Sequence, residues 1–399
     1  MNPSRLFTAS CIALIATAMS FAIRGDIMGD FERVFVLDKV QVGWIGGAAF
    51  WGFGLSILFG GPLCDVLGMG TLLRLAALGH IGGILLTIFA PNFTVLFAAT
   101  VIIGIGNGLI EAAVNPLVAT LFSTNKTAKL TALHAWFPGG IVIGGVLAFL
   151  FTQMGLGWKA KMLLMLIPAA IYAFMFFSET FPPTEREAAG VSVGAMFAEC
   201  FRPLFLVIFI AMWLTAATEL GPGQWVSNIF NEVMHSSAQA GILVLVWING
   251  IMYLMRQFFG DISHKVSPIS LIAVTSLIAA AGLFAFGMAD SAPLAFAAAA
   301  LLAIGTAFWW PTMLGITSER FPKTGALGLA VIGAAGSFST AIAGPIMGWI
   351  NETYGAARVL PIWAGLPVGL CVIFTLIYLT DKARGGYRVE QIRQQPAAH

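Results

Sequence analysis

Apolar residues run through this chain in blocks of roughly 20 or more, separated by short polar or Gly/Pro punctuation. Non-alternating blocks of that length fit membrane-crossing helices, since a barrel strand needs only about 10 alternating residues. Lipid offers the backbone no water to bond, which selects the helix again. The pattern predicts twelve spans, at 6–35, 41–64, 71–90, 94–122, 127–152, 158–178, 202–231, 237–260, 268–288, 293–318, 324–351 and 358–380. The one long polar stretch, 179–200, holds Pro182, Pro183, Glu185, Arg186 and Glu187 and reads as a linker. The expected organisation is a six-helix half at 1–180, a linker at 181–201, a second six-helix half at 202–381 and a tail at 382–399. Residues 1–20 resemble a leader, but the run from Leu6 to Ile23 is long enough to span and reads as the first helix.

Composition narrows the class. Of 399 residues, 59% are hydrophobic and 10% charged, against roughly 25% charged in a soluble domain. Too few charges remain to solvate a soluble surface, so a soluble enzyme, a nucleic-acid binder and a disordered chain are excluded. The fold class is an all-α polytopic membrane protein. Cys11, Cys64, Cys200 and Cys371 form no CxxC pair, and no metal or cofactor signature is present. No P-loop occurs, and no HExxH or GxSxG motif lies within the spans, so neither ATP drive nor an enzyme is expected. With the N-terminus inside, fourteen Lys and Arg lie on the inner side and five on the outer. That bias predicts a multi-pass protein of the inner (plasma) membrane with both termini cytoplasmic.

Charge scarcity makes the few ionisable residues within spans informative. Each costs about 3 kcal/mol or more by insertion scales and so faces protein or a wet cavity. They are Arg24, Asp26, Asp30, Glu111, His134 and Glu219, with His80 beside them. Asn107, Glu111 and Asn115 are spaced by four and share one helix face. Two amides around a carboxylate fit a cavity face, with Glu111 carrying a proton and the amides meeting substrate hydroxyls; the alternative is a structural acid bonded between helices. Arg24 and Asp26 point about 200° apart and cannot pair with each other. Asp26 lies nearer the outer surface and Glu111 nearer the inner, which suggests that the two exchange protons with opposite sides. Arg24 is expected either to pair with Glu111 or to bind substrate.

In span 7, Gly221-Pro222-Gly223 is expected to break the helix beside Glu219, an alternative coupling acid. Gln224, Trp225 and Asn228 follow as a wall of the binding site. Trp136, Trp225, Trp247 and Trp310 stand next to polar or broken helix. Aromatic faces with amides suit a polyhydroxylated ring, and His134 is a further candidate contact. Glycine turns echo one another after spans 2 and 8. Gly61, Asp65, Gly68 and Arg74 form the first, and Arg256, Gly260, Asp261 and Lys265 the second, half a chain later.

Twelve spans, a central linker and these acid-bearing turns resemble the major facilitator superfamily. Span 4, Gly108-Leu-Ile-Glu111-Ala-Ala-Val-Asn115-Pro116, is similar to the fucose permease branch of its sugar:proton symporters. Span 1 carries Arg24-Gly25-Asp26 where that branch tends to carry Asn before its acid. The resemblance implies two halves rocking about a midplane site, with Gly61, Asp65, Gly68, Arg74, Arg256 and Asp261 as a conformational latch. It also implies symport of a small, sugar-like solute, with protons as the coupling ion and sodium as the alternative. The partners expected are that solute, the ion and membrane lipid, with no nucleic acid and a monomeric state. Other readings are a carrier of sugar acids or other organic anions, with Arg24 on the carboxylate, and a proton-driven drug exporter.

Overall fold

Long apolar runs become long helices because each residue then supplies its own backbone partner. The computed structural model describes residues 2–37, 39–184, 192–234, 238–258 and 266–391, and within these the side chains of 39, 40, 42, 43, 193, 223–229, 231–234 and 238–242 lie outside the description. The described residues hold sixteen α-helices and no strand. The first six crossings are α1 (Pro3–Val34), α2 (Lys39–Leu67), α3 (Met69–Ile88), α4 (Phe93–Leu121), the pair α5 (Lys126–His134) and α6 (Trp136–Gln153), and α7 (Trp158–Phe177). A short helix, α8 (Val193–Cys200), lies in the linker region. Then follow α9 (Pro203–Met234), α10 (Ala238–Phe258), α11 (Pro268–Gly287), the pair α12 (Ala292–Thr306) and α13 (Trp309–Arg320), α14 (Gly325–Tyr354), and the pair α15 (Ala356–Trp363) and α16 (Gly365–Ala383). Among the described residues, eleven stretches are long and apolar enough to cross a membrane, and Leu243–Phe258 is a shorter apolar helix that completes the twelve.

Helix starts are chemically marked. The side chains of Asn2, Asn92 and Ser267 accept from the backbone N–H groups of Arg5, Val95 and Ser270, at 3.1–3.2 Å. Pro3 and Pro268 occupy the first turns of their helices, where no N–H is needed. Between α2 and α3 the chain turns on Gly68 alone, at φ +80°, a conformation costly for any residue with a β-carbon. Helices α2 and α4 cross at close range, since a β-carbon on Gly104 would collide with the backbone of Ala49.

Two expectations about helix breaks are corrected. Helix α9 runs unbroken through Gly221-Pro222-Gly223. Proline removes one N–H and loosens a turn without ending the helix, and the Trp363 indole N–H donates to the Ala217 carbonyl in that loosened region (2.9 Å). Spans 5, 10 and 12 are interrupted instead, at Ala135, at Ala307-Phe308 and at Ala364.

Twelve crossings bring both termini to one side, here termed the terminus side. There the two sets of helices meet. Thr127 of α5 donates its hydroxyl to the Glu319 carboxylate of α13, and Gly61 of α2 packs against Ala326 and Ala330 of α14. The chain after α16 joins this contact: Tyr387 donates to Glu319 (2.8 Å), and the Glu390 N–H donates to the Glu319 carbonyl (2.8 Å).

Candidate functional site

A cavity of about 1180 Å³ lies between the two sets of helices. Its walls come from residues 21–28 of α1, 44–53 of α2, 219–222 of α9 and 337–346 of α14. At 1.5 Å per residue these segments lie from mid-height toward the side opposite the termini. The lining is mostly apolar, with Arg24, Asp26, Glu219, Asn249, Arg256, Thr306, Ser337 and Thr340 as its polar members.

The floor of this cavity follows from two prolines. Pro138 and Pro311 lack an N–H, so the carbonyls four residues earlier, on His134 and Ala307, lose their helical donors. These are the two points where spans 5 and 10 are interrupted. Arg256 of α10 serves both: Nη1 donates to the His134 carbonyl (2.8 Å) and Nε to the Ala307 carbonyl. Its third donor, Nη2, meets Glu219 Oε1 at 2.6 Å, and Glu219 Oε2 accepts from the Trp310 backbone N–H (3.3 Å). A single guanidinium thereby ties four spans, and its bond to His134 crosses between the two sets. The same logic recurs in α4, where Pro116 orphans the Ala112 carbonyl and the Cys64 thiol donates to it (3.4 Å).

From His134 the network runs on into the first set. Asn115 donates Nδ2 to Glu111 Oε2 (2.9 Å), which leaves its Oδ1 as acceptor. His134 Nε2 lies 2.8 Å from that oxygen and is therefore the donor. It is also 4.0 Å from Glu111 Oε2. A chain of polar contacts, Glu111–Asn115–His134–Arg256–Glu219, thus joins two buried acids across the interface. Glu219 and Arg256 face the cavity, whereas Glu111, Asn115 and His134 stand behind the lining.

Two turns away, Asn107 is part of a separate, closed network. It is wholly buried, donates to Ser20 (3.0 Å) and accepts from His80 Nε2 (2.8 Å), while Tyr172 donates to His80 Nδ1 (3.0 Å). Every member is neutral and satisfied, and none lines the cavity. The Asn107/Glu111/Asn115 stripe, expected as a cavity face, is therefore an interhelical seam. Helix α4 is buried over much of its length, so spacing alone did not reveal which face met the cavity.

Nearer the cavity end remote from the termini, Asp26 pairs with Lys161 (2.5 Å), whose Nζ also donates to Thr152 (2.8 Å). Lys161 is only 5% exposed, although its position near a span end suggested a loop cation. Asp30 pairs with Arg33 (2.5 Å). Arg24 does not pair with Glu111. Its guanidinium lies over the Phe21 ring, 5.1 Å from the centroid, and among the described residues it makes no hydrogen bond or ion pair.

Three of the expected tryptophans, Trp136, Trp247 and Trp310, do not line the cavity. Trp136 packs on Tyr253 (5.5 Å), Trp247 is 46% exposed and donates to the Phe296 carbonyl (3.0 Å), and the Trp310 ring packs against Gly336. The aromatic lining is supplied instead by Trp44, Trp51 and four phenylalanines, Phe21, Phe50, Phe53 and Phe137. The side chains of Gln224, Trp225 and Asn228 lie outside the described residues, as does Asp261. Of the expected latch, Asp65 accepts from Thr184 (2.6 Å), and Arg74 donates to the Glu179 carbonyl (3.0 Å) while lying over Phe181. Arg256, expected with them at the span end, belongs to the cavity floor.

Sequence reasoning missed Lys161, Asn249, Ser337, Thr340 and the four phenylalanines. Only the prolines gave a usable signal for the floor, because an orphaned carbonyl within a membrane span requires a donor.

The Major Facilitator Superfamily profile matches residues 6–326. Membrane protein MosC of Rhizobium meliloti is 22% identical over 394 residues, covering 96% of this chain and 93% of its own. Among solved structures, the E. coli fucose:proton symporter FucP aligns with a TM-score of 0.74 at 16% identity, over 93% of this chain and 98% of its own. The human organic anion transporter MFSD10 (TETRAN) aligns with a TM-score of 0.76 at 15% identity, over 94% of this chain and 100% of its own.

Proposed function

Since the chain belongs to the Major Facilitator Superfamily, we propose that it is a secondary active transporter moving a small polar solute by proton-coupled symport through alternating access. The observation that carries the coupling is the chain Glu111–Asn115–His134–Arg256–Glu219, which joins the two sets of helices at the cavity floor. Protonating Glu219 removes the charge that holds Arg256, and Arg256 is the tie to His134. A proton arriving through the cavity therefore loosens the contact that opposes rocking. Glu111, at the far end of that chain of contacts, is the second acid of the relay. Asp26, held by Lys161, belongs to the outer vestibule.

We take the terminus side as cytoplasmic, on the strength of the Lys/Arg bias, and the membrane as the plasma membrane. The cavity then belongs to an outward-facing state, closed inside by the Thr127–Glu319 and Gly61–Ala330 contacts and by the turn bearing Asp65, Gly68 and Arg74. The two halves, 1–180 and 202–381, are the rocking units.

Two solute classes compete. The sugar-like reading draws on FucP, a fucose:proton symporter, and on aromatic rings lining a cavity with Asn249, Thr306, Ser337 and Thr340. The organic-acid reading draws on MFSD10, an organic anion transporter, and on Arg24. An exporter of amphipathic cations is disfavoured by two guanidiniums in the lining.

The test is uptake of labelled D-xylose, D-gluconate and 4-hydroxybenzoate into proteoliposomes under imposed proton or sodium gradients. Proton-driven accumulation is expected for at least one solute, and it should fall at least tenfold in Glu219→Gln and in Glu111→Gln while solute exchange persists. Accumulation that follows a sodium gradient alone, or is unchanged in both variants, would overturn the proton reading.

A further inference from the structure

Taking the proposed transport cavity as the solute site, we infer that the solute is a small monocarboxylate with an aromatic or otherwise apolar body, its carboxylate held by Arg24. The charges lining the cavity almost cancel. Asp26 has Lys161, and Glu219 has Arg256. Arg24 is left over, 8% exposed, facing the cavity, with a phenyl ring as its one described partner. A guanidinium withdrawn from water and given no counter-charge among the described residues is a site for an anion brought by a ligand. Contact with the Phe21 face leaves its N–H groups uncommitted, and their planar fork matches a carboxylate in bidentate fashion.

The surroundings of Arg24 define the rest of the molecule. Phe21 is packed by Phe50 (centroids 5.0 Å apart), Phe53 (5.8 Å, edge-on) and Phe137 (6.2 Å), and all four rings line the cavity. A carboxylate seated on Arg24 therefore brings its attached body against phenyl rings, which favour an aromatic or apolar group. The residual charge of one favours a monoanion. A phosphate ester would need a second cation, and Arg256 is committed to Glu219 and two carbonyls.

The experiment is ligand-induced thermal stabilisation of the purified full-length protein in detergent at neutral pH, where no gradient is needed. The probes are 4-hydroxybenzoate, the isosteric 4-hydroxybenzamide, phenyl phosphate, D-xylose and tetraphenylphosphonium. The carboxylate should stabilise at least tenfold lower concentration than the amide or phenyl phosphate, and D-xylose and the cation should have no effect. Arg24→Gln should abolish the preference for carboxylate over amide. Arg24→Lys, which keeps charge but not the fork, should bind the carboxylate about tenfold more weakly, and it carries the test should Arg24→Gln not fold. Equal binding of acid and amide, stabilisation by D-xylose alone, an unchanged preference in either variant, or no stabilisation by the carboxylate would each overturn the inference. Loss of proton coupling in vesicles with carboxylate binding intact would overturn the coupling proposal and leave this one standing.

Discussion

Arg24 and Arg256 approach the same cavity from opposite sets of helices, and their surroundings differ donor by donor. Arg256 spends Nε, Nη1 and Nη2 on Ala307, His134 and Glu219. Arg24 meets only the face of Phe21 among the described residues. Both are buried and both are costly to place in a membrane. The structure has used one charge to hold itself together and left the other with no internal purpose. Burial alone therefore does not mark a binding residue; the tally of satisfied donors does.

The largest expected effect separates these roles. Arg256→Met strips Glu219 of its partner and two carbonyls of their donor. Removing one member of a buried pair costs about 3–5 kcal/mol, so the melting temperature should drop steeply or folding should fail. Arg24→Met removes a buried charge that has no counter-ion among the described residues, so the unliganded protein should be as stable as before or more so. Thermal unfolding of the two variants side by side is the measurement. Equal losses would mean that Arg24 is structural too, and the contrast would collapse.

The contrast was only partly legible in the sequence. Twelve apolar blocks, the interior acids and the shared helix face of Glu111 and Asn115 at four-residue spacing could all be read from local pattern. The partnership of Asp26 with Lys161 could not, because 135 residues separate them and Lys161 looks like one more loop cation. The cavity-facing side of α4 was also hidden. Apolar residues surround that helix on several faces, so periodicity gives no direction, and Asn107, a solute contact by spacing, serves His80 and Ser20 instead. Trp136, Trp247 and Trp310 misled for a related reason: sequence proximity to a broken helix does not fix which way a ring points. The effect of a proline also depends on its surroundings. Pro222 leaves α9 continuous, whereas Pro138 and Pro311 create the acceptors that Arg256 fills.

That last point yields an intermediate effect that sharpens the comparison. Pro138→Ala returns an N–H to the turn and offers the His134 carbonyl a helical donor. The span 5 interruption should then heal, and the Arg256–His134 tie should weaken by about 1 kcal/mol, roughly a five-fold shift in equilibrium. Thiol labelling of Ser337→Cys, a cavity-lining position, should slow correspondingly as the observed state loses population. An unchanged rate would show that Arg256 holds the second set alone and does not lock the two sets together.

The smallest effect comes from a third arginine that is paired but wet. Arg202 receives the Glu390 carboxylate bidentately, at 2.8 and 2.9 Å, and stacks over Phe321. Those hydrogen bonds hold the Glu390 carboxyl below the usual carboxylate range and push Arg202 above its own ordinary value. For an acid with a depressed folded value, the stabilisation is present above the free carboxylate's range and is lost as pH falls through the folded value. Both side chains are more than a third exposed, so water and salt screen the pair, and its worth should stay below about 1 kcal/mol. Glu390→Gln should therefore melt slightly earlier than the parent at about pH 7, and the difference should shrink in high salt and disappear as pH falls through the depressed folded value of the Glu390 carboxyl. A difference that persists in acid would assign the stabilisation to tail packing around Tyr387 and Glu319. The saturated but exposed pair would then carry no measurable energy, and burial together with saturation would be needed to explain Arg256.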